Sequence, residues 1–390
     1  MTERSRGGLI LGRFSRSSFF LGRFFGIKFH LDYSWFPIAA LVTYVLAVDI
    51  FPASLPGHSH LLYMAMGVGA ALVFFFSILL HELGHSLVSQ RCGIPVPRIT
   101  LLFIGGIAEI SREPDTARAE LKIAAGGPAV SIALAILYGL GAVVSYLLGW
   151  SAVSIMFQWL ALVNISLVVF NAIPGYPLDG GRILRAMIWA RTGNLRKATF
   201  ITTRIGVGFS WVLIGLGVFY LFQGWLNAAV FFVIGIFLKG AAESGYTHTL
   251  YHEVLAGVSV GEIMNRDPVC VPAHTPLNMV VDDFFLTHNH VAYPVIGDAG
   301  DFRGLLRLES LKELPREKWP YITAGDLAAS HESAAAGIDA AQPAEQAMRR
   351  LLAAGQGRLA VLEAGKVTGI ITRHDVLHFI PIHTELGGND

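Results

Sequence analysis

His81, Glu82 and His85 form the pentapeptide HELGH inside FFFSILLHELGHSLVSQ, one of the least polar stretches of the chain. Ionisable side chains are costly to bury in so apolar a segment, which calls for a chemical reason. On a helix, positions i and i+4 share a face, so His81 and His85 can offer two imidazoles to one zinc ion. Glu82 beside them can reach an attacking water as a general base. In a soluble protein such a pattern arises by chance. In a membrane span that alternative is much weaker, because unpaired Glu and His are disfavoured there.

Zinc on two histidines needs a third protein ligand and an open position. The other acids in the apolar part of the chain are Asp32, Asp49, Glu109, Glu113, Asp115, Glu120, Asp179 and Glu243. Asp49 stands at the far end of its apolar run, and Glu113, Asp115 and Glu120 lie in a charged stretch and read as solvated. Asp179 stands in FNAIPGYPLDGGRILRA, just past the end of another apolar run. Pro174 and Pro177 break that helix and Gly180–Gly181 let the backbone approach closely; broken helix at membrane depth belongs where it is buried or lines a cavity. Asp179 is therefore the expected third ligand, a simple interhelical turn being the bland alternative.

The elements that must hold these residues are membrane spans. The chain is 53% hydrophobic and 15% charged, too apolar for a soluble domain. Its formal net charge of +1 excludes a protein that coats nucleic acid directly. Six runs are long enough to cross a bilayer, roughly 34–51, 64–90, 120–149, 152–174, 202–222 and 225–244. Lys and Arg cluster in the N-terminal arm, in 91–122 and in 182–204, while the alternate connections carry none. The positive-inside rule then puts both termini in the cytoplasm and HELGH toward the cytoplasmic side. The basic, aromatic N-terminal arm has no signal-peptide cleavage pattern. The segment 96–111, rich in β-branched residues around Gly105–Gly106, reads as a strand pair or re-entrant loop. Its edge could hold an unwound substrate by strand addition, or it could simply pack the helices. Cys92 and Cys270 are too far apart in unlike sequence to be a disulfide framework, and read as small packing residues.

HELGH followed by NAIPGYPLDGGR resembles the site-2 protease family of intramembrane zinc metalloproteases, over roughly residues 20–245. The resemblance implies one zinc per chain held by His81, His85 and Asp179, with Glu82 as catalytic base. Asn164 matches an asparagine that the family places near the site; its amide would contact the scissile carbonyl or its oxyanion, or else make an interhelical hydrogen bond. Where the family often has Gly-Pro-x-x-Asn, this chain has GPAVS, with Ser131 at the last position. No insertion is large enough for the PDZ domain that many relatives carry.

Past Lys239 the composition changes and an internal repeat appears: VSVGEIM (258–264) resembles ITAGDLA (322–328), and 293–314 resembles 359–380. Each copy reads as strand, turn, strand, helix. The pair resembles tandem CBS domains, placed at 253–318 and 319–390 after a transmembrane protease domain at 1–252. The resemblance implies an adenine nucleotide as a ligand, with Thr372 and Asp375 of GIITRHD at phosphate- and ribose-binding positions. Arg307 and Ser310 stand there in the first copy, which reads as degenerate. Dimerisation without any ligand is the alternative.

The expected fold is thus a polytopic α-helical membrane protein with six transmembrane helices and a small membrane-associated β element, followed by a soluble α/β tandem CBS module. The expected function is an intramembrane zinc metalloprotease of the cell membrane. It would cut a single-span, membrane-tethered regulatory protein, such as an anti-sigma or transcription factor, in or near its transmembrane segment. Nucleotide at the CBS pair would modulate it, and that pair would also support a homodimer. The competing class is a CBS-gated ion channel or transporter using the same His, Glu and Asp side chains as an ion site. A general base beside the ligands favours hydrolysis.

Overall fold

A computed structural model of the chain describes residues 18–102, 105–225, 228–255, 257–288, 290–329, 336–352 and 357–386. The first seventeen residues of the basic arm and 103–104 of the re-entrant segment lie outside the described residues. The chain divides into two units, one running to Thr249 and the other from Leu250 onward.

The first unit begins with two strands, β1 (Ser18–Phe24) and β2 (Ile27–Asp32). Seven helices follow: α1 (Trp35–Ser54), α2 (His60–Arg91), α3 (Ala117–Leu147), α4 (Ser151–Asn171), α5 (Asp179–Thr192), α6 (Leu195–Phe222) and α7 (Ala229–Leu255). All but α5 are long and apolar enough to cross a membrane, α7 over Ala229–Thr247. The helices α2 and α6 start earlier than their apolar runs because polar residues cap them. The Ser59 hydroxyl accepts from Leu62 N–H at 3.3 Å, and Asn194 Oδ1 accepts from Lys197 N–H at 2.7 Å. The residues just past Lys239, where the composition changes, continue α7.

Between α2 and α3 run β3 (Arg98–Leu102) and β4 (Gly105–Glu109), the first of the two readings, strand pair or re-entrant loop, that the sequence offers for this segment. The pair completes a sheet ordered β1-β2-β3-β4, in which β2 and β3 are parallel and the outer pairings antiparallel. Phe25 and Gly26, at φ 52° and 78°, form the two-residue turn between β1 and β2. Ile27, Phe29, Val96 and Ile99 bury one face of the sheet against Leu79 and Leu83 of α2, which seats β4 beside the HELGH turn.

Close helix packing does the rest. At the α2–α3 crossing a Cβ on Gly84 would lie 2.6 Å from the Gly126 carbonyl oxygen, so only glycine permits the approach. Farther along, Ser77 Oγ and Tyr138 Oη meet at 2.9 Å across the same interface, each satisfied without water.

In the second unit the two repeat copies do not pack as consecutive blocks. The leading helix of the first copy, α8 (Val260–Ile263), buries Val260 and Ile263 against Ile338, Leu359, Val361, Ile371 and Val376 of the second copy. The short strand β5 (Asn265–Arg266) pairs antiparallel with the strand Lys366–Thr372. Conversely Ala324 and Ala328, which lead the second copy, pack against Val271, Tyr293, Val295 and Leu306 of the first. Each copy thus completes the other's core, and packing crosses the position 318/319 at which the repeat divides in sequence.

Candidate metal centre

The i,i+4 spacing on α2 puts His81 and His85 on one face, with Nε2 atoms 3.2 Å apart. Asp179 is the first residue of α5, where the negative charge also suits the helix N-terminus. Its Oδ2 lies 3.2 Å from His81 Nε2 and its Oδ1 3.2 Å from His85 Nε2. All three residues are buried, at 4%, 6% and 7% exposure, so water does not dilute their charge. Gly180 and Gly181 sit directly on the backbone of Ala172–Tyr176, the tight fold that delivers Asp179 to this depth.

The helix α3 fixes both rings from behind. His85 Nδ1 is 2.7 Å from the Ile123 carbonyl oxygen, which can only accept, so Nδ1 donates there and Nε2 is the nitrogen turned to Asp179. His81 Nδ1 is 2.8 Å from Ser131 Oγ, and its Nε2 is turned to Asp179 as well. Asp179 Oδ2 is buried and, among the described residues, its polar neighbour is His81 Nε2 at 3.2 Å. Two imidazole nitrogens and a carboxylate thus converge on one buried point, a donor set that a cation can share. The two imidazoles are spaced for zinc: bonds of 2.0–2.1 Å in a tetrahedron put ligand atoms about 3.3 Å apart, against 3.2 Å between the two Nε2 atoms, and each Nε2 has one oxygen of Asp179 at 3.2 Å. A Cβ on Gly127 would fall against Nε2 of both histidines, so glycine there keeps the space before them open.

Glu82 is adjacent on α2, and the strand β4 closes on it: a Cβ on Gly106 would run into the Glu82 side chain. Glu109, the other acid in that strand, faces Arg98 at 3.6 Å and is not part of the His81–His85–Asp179 cluster. Asn164 is buried on α4, where its Nδ2 donates to Leu160 O of its own helix at 2.8 Å and its Oδ1 has no hydrogen-bond partner among the described residues.

Thr372 and Asp375 lie in the second unit at the start of α9 (Arg373–Leu386), apart in sequence from the metal cluster. They form a reciprocal cap: Thr372 N–H and Oγ1 each donate to Asp375 Oδ2 at 2.7 Å, and Asp375 N–H approaches Thr372 Oγ1 at 3.3 Å.

One sequence expectation is overturned. Glu120 is not solvated: it has no exposed surface and pairs with Arg185 of α5. Its run of charged neighbours hides that burial, since its partner is 65 residues away. The Ile123 carbonyl and Gly127 likewise escape a motif-based reading. The Gly-Pro-x-x-Ser run is the signal for Gly127 and Ser131, whereas nothing in the motif marks Ile123.

Comparison with known proteins gives the family of the chain. The family model described as peptidase family M50 matches residues 69–151 and 143–214, and the CBS domain model matches 260–317 and 336–382. Rip3 of Mycobacterium tuberculosis, which carries the name zinc metalloprotease, is 32% identical over 369 residues, covering 93% of each chain. The protein sll0528 of Synechocystis, named likewise, is 32% identical over 322 residues, 81% of this chain and 83% of its own. Among solved structures, the site-2 protease of Methanocaldococcus jannaschii is 25% identical, with a TM-score of 0.41, over 58% of this chain and 94% of that one. These relationships do not favour the ion-channel alternative. The chain belongs to peptidase family M50, as a multi-pass membrane zinc metalloprotease of the site-2 protease type that carries a pair of CBS domains.

Proposed function

We propose that the protein hydrolyses a peptide bond in or near the transmembrane segment of a single-span, membrane-tethered regulatory protein. The observation that carries the reading is the trio of buried donor atoms on His81, His85 and Asp179, within 4.8 Å of one another, with Glu82 next in sequence to His81. Zinc bound there supplies a Lewis acid for the amide carbonyl. Glu82 takes the proton of the attacking water and delivers it to the leaving nitrogen. Asn164 keeps a second amide N–H beyond the one given to Leu160, available to a developing oxyanion.

A helical substrate must unwind before its carbonyl is reachable. The strand β4 is an edge of the sheet, and Gly106 within it abuts Glu82, which supports an extended substrate adding to that edge beside the base. The distribution of Lys and Arg supports cytoplasmic termini and cleavage toward that face. The CBS pair is proposed to bind an adenine nucleotide through Thr372 and Asp375 at the N-terminus of α9, to modulate cleavage, and to support a homodimer. Full-length protein reconstituted with a tethered model substrate tests the reading. Zinc-dependent cleavage on the cytoplasmic side of the span is the expected result, and loss of zinc without loss of cleavage would refute it.

A further inference from the structure

Two helices share the metal site without sharing its ligands. The helix α3 orients both imidazoles through Ile123 and Ser131, while α5 carries Asp179. The register of α5 on α3 therefore decides whether carboxylate and imidazoles meet. Among the described residues, the ion pairs joining these helices are Arg185 and Arg182 with Glu120, the latter at 4.0 Å. Arg185 and Glu120 are 4% and 0% exposed, and Arg185 Nε donates to Glu120 Oε1 at 2.7 Å, with Nη2 on the same oxygen.

On its other side the Arg185 guanidinium lies 5.5 Å from the ring centre of Tyr176, in the turn three residues before Asp179. That turn is pinned independently: Tyr176 N–H donates to Thr202 O at 3.1 Å, and its ring and carbonyl rest on Gly245 and Gly206. Arg185 thus ties the pinned turn to the helix that sets the histidines. Glu120 and Arg185 stand seven and six residues from Gly127 and Asp179, roughly two helical turns in each case. A buried ion pair contributes little net stability against an apolar pair of similar size, but its geometry is exacting, which makes it suited to fixing a register.

We propose that Glu120 and Arg185 are positioning residues for the metal site, their buried pair locking α5 on α3 so that Asp179 reaches His81 and His85. The inference rests on the zinc reading above.

The test compares full-length wild type with the double variant Glu120→Leu/Arg185→Met, which leaves no lone buried charge. Melting of metal-stripped protein in detergent reports the fold, and competition with a chelator reports zinc affinity. The double variant should melt no lower than wild type yet bind zinc about 10–100-fold more weakly, as when other supporting partners of metal ligands are lost. Its kcat should fall with KM unchanged. Zinc affinity within twofold of wild type would overturn the proposal. Should the double variant fail to fold, Arg185→Lys decides: it keeps the charge but loses the guanidinium fork, so weakened zinc binding supports the proposal and unchanged binding overturns it. A wild type that binds no zinc would instead sink the metal reading itself, a distinguishable outcome.

Discussion

The Ile123 carbonyl oxygen accepts from His85 Nδ1 at 2.7 Å, so a backbone group of α3 dictates which nitrogen of an α2 histidine is left for a metal. Ser131 does the same for His81 with a side chain, one that mutation can reach. Ser131→Ala should weaken zinc binding about 10–100-fold, the usual cost of losing a hydrogen-bond partner behind a ligand. Ser131→Asn, which restores an acceptor, should recover part of it. Chelator competition measures both, and wild-type affinity in Ser131→Ala would show that the hydroxyl does not orient the ring.

Gly127→Ala probes the space before the imidazoles. The added methyl would sit against Nε2 of both histidines, so zinc content should fall to near background while the protein remains folded and dispersed in detergent. Metal analysis and size exclusion on one sample check this. A full equivalent of zinc in the variant would place the metal elsewhere.

Asp179→Ala removes the anionic member of the cluster, so zinc occupancy and cleavage should fall together. Retention of one equivalent at ordinary affinity would mean another residue completes the set.

Much of this site was legible in the chain. The i,i+4 spacing puts His81 and His85 on one helical face whatever the tertiary context, and Pro174 and Pro177 mark where Asp179 leaves the span. The six spans follow from apolar length alone. Other features depend on partners remote in sequence. Glu120 looks solvated among Arg112, Glu113, Asp115 and Arg118, and only packing of α5 on α3 reveals its pair with Arg185. The strands β1 and β2 of the arm SFFLGRFFGIKFHLD pair with each other, but β3, which pairs with the other edge of β2, lies beyond α2 in sequence. The exchange of leading helices between the repeats is invisible because apolar residues at those positions, Val260 and Ile263 in one copy and Ala324 and Ala328 in the other, say only that the helix is buried and not against which copy.

Thr372 and Asp375 have a structural duty that any nucleotide role must share. Asp375→Ala should cost the second unit about 1 kcal/mol through loss of the cap, and should weaken adenine-nucleotide binding to the full-length protein if Asp375 also meets ribose. Calorimetry with AMP and ATP, alongside melting, separates the effects. Lower stability with unchanged nucleotide affinity would leave Asp375 a cap alone.

The account turns on Glu82 as the proton carrier beside the bound metal. Wild type and Glu82→Gln should each be purified in detergent, assayed for zinc, and given the same tethered substrate. The glutamine keeps the shape but cannot accept the proton, so both proteins should hold one zinc per chain while only the wild type cuts. Cleavage by Glu82→Gln at the wild-type rate, with zinc in place, would contradict the mechanism.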